Sequence, residues 1–254
     1  MVTDVWKRDL FVNDNIPFLF NKEIIEYDMK EAGFSLTKEF NLLPDDIISK
    51  LNKYGKEKRK VELGKIQRDN KEYANLLKES FKSARKMFFE LNNLDVLNII
   101  SIKKDAIFTT KKCNVNNIGE HILFRPKNIY TSYIQLSKNM EFYYNETSLD
   151  IKGLNDEAYK LHEEYMISFI KKYFKMMETS DKDSVLRFVR NFIDKYKRKE
   201  LEVGYYRVFN SRSNFELLDS DDFEFMDYWE EDKDDLDISY NYMNILLKLA
   251  VIPL

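Results

Sequence analysis

Between residues 71 and 92, apolar side chains return every three or four positions: Tyr73, Leu76, Leu77, Phe81, Ala84, Phe88 and Leu91. That spacing lays one stripe along a long helix, which "NNLD" then closes. Continuous apolar runs flank it. "KEIIEYDM" (22–29) reads as a buried strand, and "VLNIISIKKDAIFTT" as two strand-like runs or one bent strand. Between them, "LLPDDIISKLNKYG" starts a helix with Pro44 near its first turn and Asp45 and Asp46 at the positive end of its dipole. Gly55 is a candidate stop, and the basic stretch "KEKRKVELGKIQRDN" (56–70) reads as helical. Further strands are predicted at 121–125, 129–136 and 140–144. From 155 onward the period turns helical, with Leu161, Tyr165, Phe169 and Tyr173 in 156–177 and Val185, Val189, Phe192 and Tyr196 in 183–198. "LEVGYYRVFN" reads as a hairpin and "YNYMNILLKLAVI" as a last apolar helix. The order predicts an α+β fold with a domain boundary near Gly153.

Composition narrows the class. With 254 residues, 44% hydrophobic and only 6 Gly and 4 Pro, the chain suits a helix-rich α+β protein rather than a turn-rich sandwich. Its 19 Phe and 16 Tyr exclude a disordered chain. Cys113 is the single cysteine, which excludes an intrachain disulfide and a cysteine zinc cluster. There is no Walker loop and no Gly-rich dinucleotide fingerprint. The N-terminus, "MVTDVWKRDLF", is charged throughout, and the apolar runs fall short of the ~20 residues that span a bilayer. The expectation is a cytoplasmic protein with no membrane partner. Abundant Lys, Asn and Ile point to an AT-rich genome, such as that of a low-GC bacterium or its phage.

Charge is distributed unevenly. Residues 216–237, "ELLDSDDFEFMDYWEEDKDDLD", hold twelve acids and one Lys, so against a total of -3 the rest of the chain carries +8. A basic body with an acidic appendage fits a nucleic-acid or nucleotide binder. The aromatics Phe223, Phe225, Tyr228 and Trp229 within the acidic stretch suit a basic protein partner, against the plainer reading of solvated surface.

The candidate chemistry lies in two strands that each carry an aspartate, Asp28 in "IIEYD" and Asp105 in "IISIKKDAIF". If the strands are antiparallel neighbours, both carboxylates emerge at one sheet edge. Two such groups hold a pair of divalent ions about 3.5–4 Å apart, which activate an attacking hydroxyl and stabilise a pyrophosphate leaving group. Hard carboxylate oxygens suit Mg²⁺ or Mn²⁺.

At these residues the chain resembles template-directed DNA polymerases of family B. "IIEYDMKEAGFSL" looks like their motif A, and "IISIKKDAIF" aligns without gaps to the motif C strand, which in that family carries Asp-Thr-Asp where this chain has Lys103, Lys104 and Asp105. The 71–92 helix resembles the palm helix leading into motif C, and the likeness covers roughly residues 20–112. It implies an antiparallel-sheet palm with flanking helices over 1–153, a short basic fingers-like insertion at 41–70, and a helical thumb-like region over 154–254. It further implies a nucleotidyltransferase with Asp28 and Asp105 as catalytic metal ligands for Mg²⁺ or Mn²⁺, acting on primer–template nucleic acid and nucleoside triphosphates in DNA replication.

Other expected contacts follow. Within 56–70, Lys58, Arg59, Lys60, Lys65 and Arg68 are candidate triphosphate contacts, Lys65 and Arg68 foremost, and Gly33 and Phe34 stand where the family excludes the ribose 2′-hydroxyl. Lys103 and Lys104 are candidate phosphate contacts, and Lys127 and Tyr130 in "FRPKNIYTSY" are candidates for gripping the primer strand. Basic and aromatic residues interleave over 187–212, as in a surface tracking a phosphate backbone. His121 and His162 lack metal-ligand spacing and read as structural. A different class remains open: a non-catalytic palm-fold protein, such as a phage accessory or anti-defence factor, that binds nucleic acid or a host protein.

Overall fold

In the computed structural model the described residues are 4–138, 140–153, 167–202, 208–210, 239–241, 249–250 and 252–253. Packing divides the chain into two units, Met1–Asn15 with Glu23–Ile129, and Ile16–Lys22 with Tyr130–Leu254.

The first unit begins with a 3-10 turn, Asp4–Lys7, and strand β1, Leu10–Val12; β2, Phe18–Leu19, lies in the interposed segment and belongs to the second unit. After β3 (Ile24–Met29) come helices α1 (Ala32–Glu39), α2 (Asp45–Asn52), α3 (Lys56–Asp69) and α4 (Lys71–Asn92). Strands β4 (Ile99–Lys103), β5 (Ala106–Thr109) and β6 (Phe124–Tyr130) complete a sheet of order β1-β4-β5-β3-β6. The β1–β4, β4–β5 and β3–β5 pairs are antiparallel. The apolar run that left two readings open is thus a hairpin of two strands.

Helices α2, α3 and α4 form where the sequence predicts them. Asp45 and Asp46 sit in the first turn of α2 behind Pro44, and Asn70 caps α4 by accepting from the Tyr73 N–H at 3.0 Å. Gly55 is the residue before α3 rather than the end of α2, which stops three residues earlier at Asn52. The α4 stripe is turned from the predicted one: Leu76 and Leu91 are 45% and 49% exposed, while Ser80, Arg85 and Asn92 are buried. Tyr27, Phe88 and Phe124 stack in series at the centre of this core. Burial pushes the Cys113 thiol up to about 11, so it stays protonated at neutral pH and is a poor nucleophile.

A loop tied to α1 leads into β6. Glu39 at the end of α1 accepts from the His121 N–H at 2.6 Å and the Glu120 N–H at 3.3 Å. Gly119 allows this approach, since a Cβ there would collide with the Glu39 carboxylate. His121 is structural in this sense: its backbone, not its ring, is what α1 holds.

In the second unit, β2, β7 (Ser132–Ser137), β8 (Met140–Asn145) and β9 (Ser148–Lys152) form an antiparallel sheet in that order. Helices α5 (Ser168–Thr179) and α6 (Lys182–Lys197) share a core with its Phe142, Tyr144 and Ile151. Because these strands pack on those helices, the division falls between Ile129 and Tyr130, whereas the sequence places it near Gly153. Gly153, at φ 100°, lies outside any strand or helix at the end of β9. The predicted strand 129–136 is two strands, broken where the Thr131 N–H turns to the Tyr144 carbonyl.

The centre of the predicted 201–210 hairpin, residues 203–207, lies outside the described residues. Val208–Asn210 (β10) is antiparallel to Ser239–Asn241 (β11). The acidic stretch 216–237, His162, Tyr205, Tyr206, Arg207, Arg212 and most of the last apolar helix lie outside the described residues. Among the described residues, no helix is long and apolar enough to cross a membrane. The fold is α+β with antiparallel sheets, as the pattern of runs predicts.

Candidate functional site

β3 and β5 bring Asp28 and Asp105 onto neighbouring rungs. Asp28 is opposite Ala106 in the register, and the Met29 N–H donates to the Asp105 carbonyl at 3.1 Å, extending the ladder by one step. Asp105 stands in the two-residue turn between β4 and β5. Its predecessor Lys104 takes a positive φ of 54°, a conformation that Gly, Asn or Asp usually supplies in hairpins. Two bonds hold that backbone: the Lys104 N–H donates to the Asp9 carbonyl at 2.7 Å, and its carbonyl accepts from Arg85 at 2.8 Å.

Arg85 is the anchor beneath the turn. Its side chain is fully buried, yet every arm of the guanidinium has a partner: Nε donates to the Trp6 carbonyl, Nη1 to Lys104 and Nη2 to the Asp9 carboxylate, each at 2.8 Å. Burial pulls this guanidinium below its ordinary value, and Asp9, with Asp105 behind it, acts in the opposite direction to keep it charged. Asp9 and Arg85 were absent from the sequence reading. An arginine in an amphipathic helix reads as solvent-facing, and the N-terminal segment that covers it is 76 to 79 residues away in sequence.

The carboxyl of Asp105 is raised above the ordinary aspartate value. Burial is the main cause and the charge of Asp28 adds to it, while its own backbone bond, Lys104 and Lys127 act against it. Asp28 is one-fifth exposed, and an arm of Arg125 lies 3.8 Å from its Oδ2. Both aspartates open on a cavity of about 860 Å³.

Part of the cavity wall is cationic. Lys56, Arg59, Lys60, Leu63, Gly64 and Gln67 follow one another at helical spacing along one face of α3, and Asn75 and Lys78 extend the wall along α4. Arg59 is fixed there. It bonds the Tyr54 carbonyl at 3.1 Å, pairs with Glu31 at 3.5 Å and lies over the Phe34 ring at 4.4 Å. Glu31, at φ 47°, precedes α1 and lines the cavity beside Gly33 and Phe34.

The predicted residues distribute as follows. Asp28, Asp105, Gly33, Phe34 and Lys104 line the cavity together. Gly33 faces open space, since a Cβ there would meet nothing within 4 Å, and Phe34 is buried under Arg59. Lys65 pairs with Glu62 at 2.8 Å and Arg68 with Asp69 at 3.4 Å; neither lines the cavity, because both project from the other side of α3. Lys103 ends β4 opposite Leu10 and Ala106, outside the cavity wall. Lys127 lies 3.6 Å from the buried Glu26, and Tyr130, which bonds Asp150, falls in the second unit.

The donor set suits a hard cation with few protein ligands. Asp28 and Asp105 stand on neighbouring rungs and line one cavity, and among the described residues no group of three or more His, Cys, Asp or Glu side chains converges on one ion. Mg²⁺ and Mn²⁺ accept such sites when water and substrate oxygens complete the shell.

A model of a protein family described as bacteriophage PBS1 gene 130 protein matches residues 1–253. The chain belongs to that family. It is therefore a phage-type protein, in keeping with the AT-rich codon bias inferred from its composition. No curated protein matches the chain. In this member of the PBS1 gene 130 family, both aspartates, Arg85 and the whole cationic wall lie inside the matched span.

Proposed function

We propose that the first unit is a nucleotidyltransferase that joins a nucleoside triphosphate to a hydroxyl on a nucleic-acid strand. The observation that carries this reading is the adjacency of Asp28 and Asp105 on neighbouring rungs, in one cavity that the cations of α3 and α4 also line. Asp28 and Asp105 would hold divalent ions. When bound, such ions lower the proton affinity of an attacking hydroxyl and neutralise charge on the phosphates.

The chain's own residues supply the rest. Lys56, Lys60 and Lys78 offer mobile ammonium groups to a polyphosphate, while Arg59 holds α3 against α1 and so fixes the wall that carries them. Arg85 sets the backbone of the turn, and with it the position of Asp105. Open space beside Gly33 leaves room for a ribose as well as a deoxyribose, so both sugars are expected as substrates.

The test is extension of a labelled primer on a template by the full chain with Mg²⁺ or Mn²⁺ and either dNTPs or NTPs. Extension is expected, and Asp28→Asn should reduce it at least a thousandfold (about 4 kcal/mol of transition-state stabilisation) with the fold intact. Consumption of NTPs without a template would indicate cyclase or oligonucleotide-synthesising chemistry on the same site. No incorporation alongside retained nucleic-acid binding would favour a non-catalytic binding protein.

A further inference from the structure

β6 places two cations opposite two acids of β3. The Lys30 N–H bonds the Leu123 carbonyl, and the pairs Asp28–Arg125 and Glu26–Lys127 step in opposite directions along the two strands, as in an antiparallel register. Alternate residues share a face, so both ion pairs lie on the same side of this strand pair.

The two pairs are not equivalent. Glu26 is 2% exposed, with Lys127 3.6 Å from Oε1 and the Asn128 amide donating to Oε2 at 2.6 Å. That carboxylate is buried and committed. Arg125, by contrast, is half exposed and lies 3.8 Å from Asp28, beyond hydrogen-bond distance. Arg125 and Asp28 line the cavity together, whereas Lys127 does not. A pair of this length and exposure holds by roughly 0–1 kcal/mol.

We propose that Arg125 is an exchangeable ligand: it neutralises Asp28 while that carboxylate carries no cation, and turns to the phosphates of a nucleoside triphosphate once a divalent ion occupies Asp28. This rests on the reading of Asp28 and Asp105 as a metal site. The driving force is electrostatic, because a divalent charge at Asp28 repels the guanidinium that sat beside it. The destination is set by shape, since a planar guanidinium binds phosphate oxygens with two parallel bonds. The other arginine of the cavity cannot make this move, because Arg59 is held by Tyr54, Glu31 and Phe34. Arg125 therefore links the two ligands with opposite signs: it opposes cation binding to the empty site and favours triphosphate binding to the cation-loaded one.

The test measures Mn²⁺ binding to the full chain without nucleotide, then binding of a non-hydrolysable nucleoside triphosphate in saturating Mn²⁺. Arg125→Gln should tighten Mn²⁺ about two- to fivefold, the worth of a partly exposed ion pair. The same variant should weaken the triphosphate roughly ten- to a hundredfold, as expected for lost hydrogen bonds from a charged donor. Arg125→Lys keeps the competing charge without the fork, so Mn²⁺ affinity should stay near that of the wild type while the triphosphate still weakens. Wild-type Mn²⁺ binding with neither affinity altered in Arg125→Gln would overturn the exchange and leave the metal site standing. Absence of Mn²⁺ binding in the wild type, with or without triphosphate, would overturn both.

Discussion

Asp105→Asn should stabilise the metal-free protein at pH 7 and raise its melting temperature. It should at the same time abolish nucleotide incorporation. The sign follows from the raised carboxyl of Asp105, caused first by burial and then by Asp28. A carboxyl whose native value lies above its unfolded value favours the native state when protonated. That contribution is present below the unfolded value and is lost as pH rises through the native one. At pH 7 the ionised group is therefore a net burden, which the neutral amide removes. The advantage of the variant should shrink toward pH 4 and below. It should also shrink when Mn²⁺ is added at pH 7, because the ion stabilises only the wild type. Thermal melts of both proteins across pH, with and without Mn²⁺, check this. A variant less stable than the wild type at pH 7, or a gap independent of pH, would contradict the electrostatic account of Asp105.

Arg85→Met should produce the largest loss of stability, about 2–4 kcal/mol, chiefly from carbonyls left without their donor, because the Asp9 carboxylate is 37% exposed and partly solvated. The methionine fills much of the same volume but leaves the Asp9 carboxylate and the carbonyls of Trp6 and Lys104 without their donor. Arg85→Lys should fall between, since one ammonium cannot serve three acceptors in the fork geometry. Urea unfolding midpoints measure the series. In a double-mutant cycle, Arg85→Met with Asp9→Leu should cost less than the two single changes added together, because neither charge is then left alone. Additive losses would show that Arg85 and Asp9 act independently, against the bonded pair described above.

These two sites mark where the sequence was legible and where it was not. The long helix was legible over its full length, Lys71–Asn92, because its apolar period is uninterrupted and Asn70 caps it. Asp28 and Asp105 were legible as strand neighbours because Asp28 closes one apolar run and Asp105 stands inside another, where a charge needs a reason. Arg85 was not, because local period gives the face of a helix but not which distant segment covers it. The N-terminal turn and β1 cover it, and the predicted stripe was accordingly displaced from Ser80, Arg85 and Asn92 toward Leu76 and Leu91.

The phosphate-facing cations were half legible. The basic character of 56–70 was plain, and of the five cations it offers as triphosphate contacts Arg59 and Lys60 line the cavity, with Lys56 beside them, while Lys58, Lys65 and Arg68 do not. The signal was available: Leu63 is the buried residue of α3, and the lining cations lie within one or two turns of it on the same face. Arg125 had no such signal, and Lys127 was named for gripping a primer strand rather than for its pairing with Glu26, because both positions depend on which strand β6 pairs with, and that is a matter of topology.

The claim at the centre of this picture is that Asp28 and Asp105 jointly hold divalent ions for phosphoryl transfer. Crystals of the full chain soaked in Mn²⁺ with a non-hydrolysable nucleoside triphosphate, measured at the manganese absorption edge, test it most directly. The expected result is anomalous density in contact with both carboxylates, lost in Asp28→Asn and in Asp105→Asn. Bound triphosphate with no manganese at either aspartate, or manganese density unchanged by both substitutions, would contradict it.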